Sequence, residues 1–138
     1  MIKLSDYGKK ELQAYRADML TRAQKTANIW WREASKHWPI NLAGKPCPTI
    51  QFNNRYTRAA GYAYGETNTI ELGFKFFLHP EHRLTMFKVI IPHEVAHIVD
   101  FVIHGEMHHS QFHGENWQRI MRKLGQLPNE YHFMDIVE

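Results

Sequence analysis

His93-Glu94-Val95-Ala96-His97, set between Val89-Ile90-Ile91-Pro92 and Ile98-Val99, is the stretch on which the fold of this chain turns. Apolar residues continue beyond it at Phe101, Val102 and Ile103, so the segment reads as a helix buried on most of its sides. On a helix the two histidines stand four residues apart, about 6 Å along the axis and on one face. Unpaired polar groups in such surroundings are costly, and a shared ligand removes that cost.

Composition alone does not produce the pattern. With ten His and ten Glu among 138 residues, a shuffled chain contains H-E-x-x-H only about 0.05 times. Two imidazoles on one face can reach a single metal ion, and zinc is the expected one. Glu94, one residue further round, can take a proton from a water that attacks a polarised carbonyl. That is metallopeptidase chemistry.

The rest of the composition narrows the classes. At 138 residues and 43% hydrophobic, the chain suits one domain, 1–138, with its own core. One cysteine, Cys47, excludes an internal disulfide and any Cys-x-x-Cys ribbon, and it reads as a small, half-buried apolar residue. No apolar run approaches membrane-spanning length and no apolar h-region follows the start, so the protein is expected to be cytoplasmic, with no membrane partner. Residues 1–47 hold nine Lys and Arg against four acids, which gives +5 of a total of +3 and leaves the remainder at −2. A basic N-terminal third can face DNA, although a charge-rich helix is more often simply solvated.

Ser5 or Asp6 can cap a first helix over 8–37, with Leu12, Tyr15, Met19, Ala23, Thr26 and Trp30 as its core stripe. Pro39, Gly44, Pro46 and Pro48 then break the chain before a strand at Thr49-Ile50-Gln51-Phe52. Two further strands, 59–65 and 69–74, turn through Glu66-Thr67-Asn68. In the first of them Gly61, Ala63 and Gly65 share one face, nearly bare, and Tyr62 and Tyr64 share the other. Close packing of a helix explains a bare face; the alternative is approach by a peptide backbone that adds itself to the sheet. From Pro80 the metal-bearing helix runs to His104 and stops at Gly105, with Pro92 either kinking it or starting a new helix. A last helix spans Glu115 to Leu124, closed by Gly125, and a terminal segment follows from Tyr131.

Catalytic zinc usually takes three protein ligands and leaves one position open. His104 shares the helical face but lies seven residues beyond His97, about 10.5 Å along the axis, too far to join a shell of radius about 2.1 Å. The third ligand therefore comes from downstream, where Glu106, His108, His109, His113 and Glu115 are available. His113, at the entry to the last helix, is placed to point back at the preceding one.

Pro92-His93-Glu94-Val95-Ala96-His97, followed by His113-Gly114-Glu115-Asn116-Trp117, resembles the SprT-like (Spartan-type) family of zinc metallopeptidase domains. Ala60 to Leu72 is similar to the hairpin that precedes the active-site helix in that family. The resemblance implies one catalytic Zn²⁺ held by His93, His97 and His113, with Glu94 as the base, and protein substrates that include DNA-bound or DNA-crosslinked ones. Many members carry a C-terminal cysteine-rich zinc ribbon, and none is expected here.

Supporting roles fall to fewer residues. Asp100 lies on the face of His97 and can orient a ligand imidazole, or form an ordinary helix ion pair. Tyr131 and His132 can return to the site as donors to an oxyanion, or pack a terminal strand. Trp117 is expected to pack under His113. The expectation is an α+β, zincin-like domain: an N-terminal helix, a sheet of about three strands, the H-E-x-x-H helix and a ligand-bearing helix. Its rival is a non-proteolytic, zinc-stapled nucleic-acid-binding module, with affinity from the basic first helix and a closed coordination shell filled by His108 or His109. A third possibility keeps the enzyme and exchanges His113 for Glu115.

Overall fold

The computed structural model describes residues 8–105 and 113–128 of the chain. The Ser5 and Asp6 caps, Glu106, His108, His109 and the segment from Tyr131 lie outside the described residues. Helix α1 spans Lys9–His37 and opens at Gly8, whose carbonyl accepts the Leu12 amide at 2.9 Å. Its buried residues are Met19, Ala23, Ala27, Trp31 and Ala34. The stripe expected through Thr26 and Trp30 thus steps one residue further after Ala23, onto Ala27 and Trp31. Thr26 instead bonds back to the Arg22 carbonyl, and the Trp31 indole donates to Lys45 O at 3.2 Å. Alanines on this face let α1 lie close against the rest of the core.

Strand β1 (Thr49–Asn53) is anchored to α1 by two side chains, Arg16, which donates to Phe52 O at 3.4 Å, and Gln24. The Gln24 amide donates to Pro48 O at 2.9 Å and accepts from Ile50 N at 2.8 Å, so it satisfies the outer edge of the strand. Cys47 sits half-buried beside it, its thiol pushed up to about 11 by burial, consistent with a packing role. Strands β2 (Gly61–Tyr64) and β3 (Thr69–Gly73) form the hairpin, turning with Asn68 at φ 51°, a left-handed position that Asn tolerates. The sheet order is β1-β3-β2, with β1 parallel to β3 (Ile50 beside Ile70) and β2 antiparallel to it (Ala63 beside Ile70). Ile50, Ile70 and Leu72 face the core.

A turn of 3₁₀ helix, Phe74–Leu78, buries Phe74, Phe76, Phe77 and Leu78. Helix α2 (Pro80–Thr85) then passes through one π-helical turn, Met86–Ile90, into α3 (Ile91–His104). Pro92 accounts for this discontinuity, because it has no amide to donate and its ring crowds the carbonyl four residues back; a wider turn relieves both. Helix α3 ends at Gly105, φ 90°. Helix α4 (Glu115–Lys123) packs Trp117, Ile120 and Met121 inward and closes through Gly125, with Gln126 N on Met121 O at 2.9 Å. Among the described residues no helix is long and apolar enough to cross a membrane.

The bare face of β2 lies against α3. A β-carbon built on Gly65 would meet the Phe101 ring at 2.3 Å, and one on Gly61 would meet the Glu94 side chain at 3.4 Å. Gly65→Ala is expected to destabilise the fold by about 2–3 kcal/mol through this overlap. A thermal melt measures it, and Phe101→Leu in the same chain should return part of the loss.

Candidate metal centre

The first turn of α3 after Pro92 presents His93, Glu94 and His97 to the interior, at 5%, 5% and 6% exposure. His113 reaches them from the turn that leads into α4, where Gly114 is extended and Gln118 clamps the His113 carbonyl at 2.9 Å. The three imidazoles converge through Nε2. His97 lies 3.3 Å from His93, His113 lies 3.2 Å from His93, and the ligand atoms are all within 4.8 Å of one another. Nitrogens at about 2.1 Å from a tetrahedral zinc are about 3.4 Å apart. The donor set and its spacing therefore fit a metal ion bound by three histidines.

The electrostatics fit as well. Burial, with His113 adding to it, pushes the His97 imidazole down to about 3, so its lone pair is available throughout the neutral range. Burial alone pushes the Glu94 carboxyl up to about 8. Its Oε1 is 3.7 Å from His93 Nε2, beside the point where the imidazoles converge.

These two shifts predict how the metal-free chain responds to pH. His97 is neutral when folded but protonates near 6.5 when unfolded, so its contribution is lost as pH falls from 6.5 to about 3. Glu94 keeps its proton when folded but loses it near 4.5 when unfolded, so its contribution is lost as pH rises from 4.5 to about 8. Between 4.5 and 6.5 the two slopes oppose each other. From pH 6.5 to 8 the Glu94 slope stands alone and costs on the order of 2 kcal/mol. Denaturant melts in chelator should show this limb in the native chain and lose it in Glu94→Gln.

Trp117 has a larger part than its sequence position indicates. Its fully buried ring packs against all three imidazoles, with centroids 4.7 Å from His93, 5.2 Å from His97 and 4.8 Å from His113. It stacks on His97 at 17° and donates its indole N–H to the His93 carbonyl at 3.4 Å. The four-residue step from His113 to Trp117 was the signal for one of these contacts; the other two required the crossing of α3 and α4.

The remaining expectations separate cleanly. Asp100 Oδ1 lies 2.6 Å from His104 Nδ1, a pairing along the helix. Glu115 points outward, its side chain 86% exposed and 3.3 Å from Arg119, while His113 takes the position facing α3. Gly61, where an added β-carbon would meet the Glu94 side chain at 3.4 Å, lies on the bare face for which the sequence left helix packing and approach by a peptide backbone as alternatives.

Fold and site together define an α+β domain with two histidines on its central helix and a third at the entry to the next. The pattern of the SprT-like family matches residues 31–134, and the chain belongs to that family. Among curated relatives, Protein SprT of Shewanella oneidensis is 37% identical over 91 residues, covering 65% of this chain and 54% of that protein. Protein SprT of Vibrio parahaemolyticus is 35% identical over 79 residues, covering 57% and 44%. Protein SprT of Actinobacillus succinogenes is 32% identical over 90 residues, covering 64% and 49%. The chain thus spans about half the length of the curated relatives it matches. No solved structure matches.

Proposed function

We propose that this chain is a zinc-dependent metalloendopeptidase. The observation that carries the reading is the convergence of His93, His97 and His113 with a buried, protonatable Glu94 beside them. Zn²⁺ held by the three imidazoles would supply Lewis acidity, polarising the scissile carbonyl and acidifying a water. Glu94 takes the proton from the attacking water and delivers it to the leaving amine. Burial raises the proton affinity of the carboxyl in the metal-free chain, and the charge of a bound Zn²⁺ would lower it again, leaving Glu94 an acceptor for the water's proton at neutral pH.

The substrate enters as an extended peptide along β2. Among the described residues no strand pairs with the outer edge of β2, and a β-carbon added to Gly61 of that strand would meet the Glu94 side chain at 3.4 Å. Unfolded or loosened proteins supply such segments, DNA-bound ones among them. DNA contact falls to α1, where Lys9, Lys10, Lys25 and Arg32 are exposed, although Arg22 and Lys36 are spent on helix ion pairs with Asp18 and Glu33.

The test is cleavage of an unfolded protein by the zinc-loaded chain, stopped by chelation and restored by zinc. No cleavage under any metal or DNA condition would sink the reading.

A further inference from the structure

We infer that Tyr62 and Tyr64 select the peptide that β2 accepts, favouring an extended segment with aromatic side chains two residues apart. The use of the edge by peptides rests on the peptidase reading above; the selectivity rests on the sheet itself. Gly73 N donates to Ala60 O at 2.9 Å, so this pair is a hydrogen-bonded one in the antiparallel ladder. By alternation Tyr62–Glu71 and Tyr64–Thr69 are hydrogen-bonded too, and Gly61 and Ala63 turn their N–H and C=O groups to the free edge.

An antiparallel strand added there bonds to Gly61 and Ala63. Its residues opposite Tyr62 and Tyr64 then form non-hydrogen-bonded pairs, the kind in which side chains stand closest. Those side chains share the outer face of the sheet with the tyrosines. Residues opposite Gly61 and Ala63 face α3 instead, on the side of Glu94. The outer face therefore reads alternate positions of the peptide while the inner face holds the reacting region.

The tyrosines are exposed but already ordered. Tyr62 is 48% exposed and Tyr64 42%, with ring centroids 6.4 Å apart. Tyr56 meets Tyr62 edge-on at 5.8 Å and donates its hydroxyl to Glu71 at 3.3 Å, and Asn53 donates to the same carboxylate at 2.7 Å. A ring platform fixed in this way loses little freedom when a second aromatic side chain packs on it.

Binding to the full zinc-loaded chain carrying Glu94→Gln tests this. Two labelled, unstructured peptides differ only in a Phe-x-Phe or Ser-x-Ser pair. Each cross-strand aromatic pair is expected to contribute about 3- to 5-fold, so the Phe peptide should bind on the order of 10-fold more tightly. Tyr62→Ser with Tyr64→Ser should bring that ratio close to one, and Tyr62→Phe with Tyr64→Phe should keep it. Equal affinities, no binding of either peptide, or a ratio that survives the serine exchange would overturn the inference. Cleavage is not the readout, so failure of peptide hydrolysis by the Glu94 chain counts separately, against the proposed activity.

Discussion

Glu94→Gln is expected to reduce cleavage of an unfolded protein by on the order of a thousandfold while zinc stays bound at one equivalent. The size follows from the proposed role: a positioned acid–base group contributes about 10²–10⁴, and Glu94 is proposed to serve both proton transfers. Retention of zinc follows from the geometry, because the group that can hold a metal consists of His93, His97 and His113 and does not include Glu94. Gln also keeps the size and shape of the buried side chain, so the packing around it is retained. Metal analysis and a gel-based cleavage assay on the same preparation read the two effects. Equal cleavage by both chains would remove Glu94 from the mechanism and leave zinc as a structural staple.

The parts of this molecule that were legible in advance are those governed by local periodicity. The four-residue step from His93 to His97, the glycines that end α3 and α4, and the alternation of Gly61, Ala63 and Gly65 with Tyr62 and Tyr64 each depend on one element's geometry. What escaped depends on how elements meet. Met19 and Ala23 fit the expected stripe on α1, but the choice between Trp30 and Trp31 was decided by the Lys45 carbonyl that Trp31 reaches. The parallel pairing of β1 with β3, past the intervening β2, leaves no mark in any one strand. The contact of Trp117 with three imidazoles needs α4 already packed on α3. Glu94 was readable as a candidate base from its motif, whereas the burial that raises its proton affinity in the metal-free chain comes only from the assembled core.

The proposed third ligand offers the sharpest separation between neighbouring residues. His113→Ala is expected to weaken zinc binding by more than about 100-fold, since loss of outer-shell partners alone costs 10- to 100-fold and this change removes a donor. Glu115→Ala, two residues on, should change affinity less than about threefold, because it breaks only an exposed ion pair with Arg119. Competition against a chromophoric chelator measures both. The pair also tests the fold, because His113 reaches α3 only if α4 is docked through Trp117. A chain in which Glu115→Ala released the metal and His113→Ala did not would require α4 to be rotated about its axis. That rotation would draw Trp117 away from His97, and near-ultraviolet dichroism of the indole stacked on that imidazole would register the change.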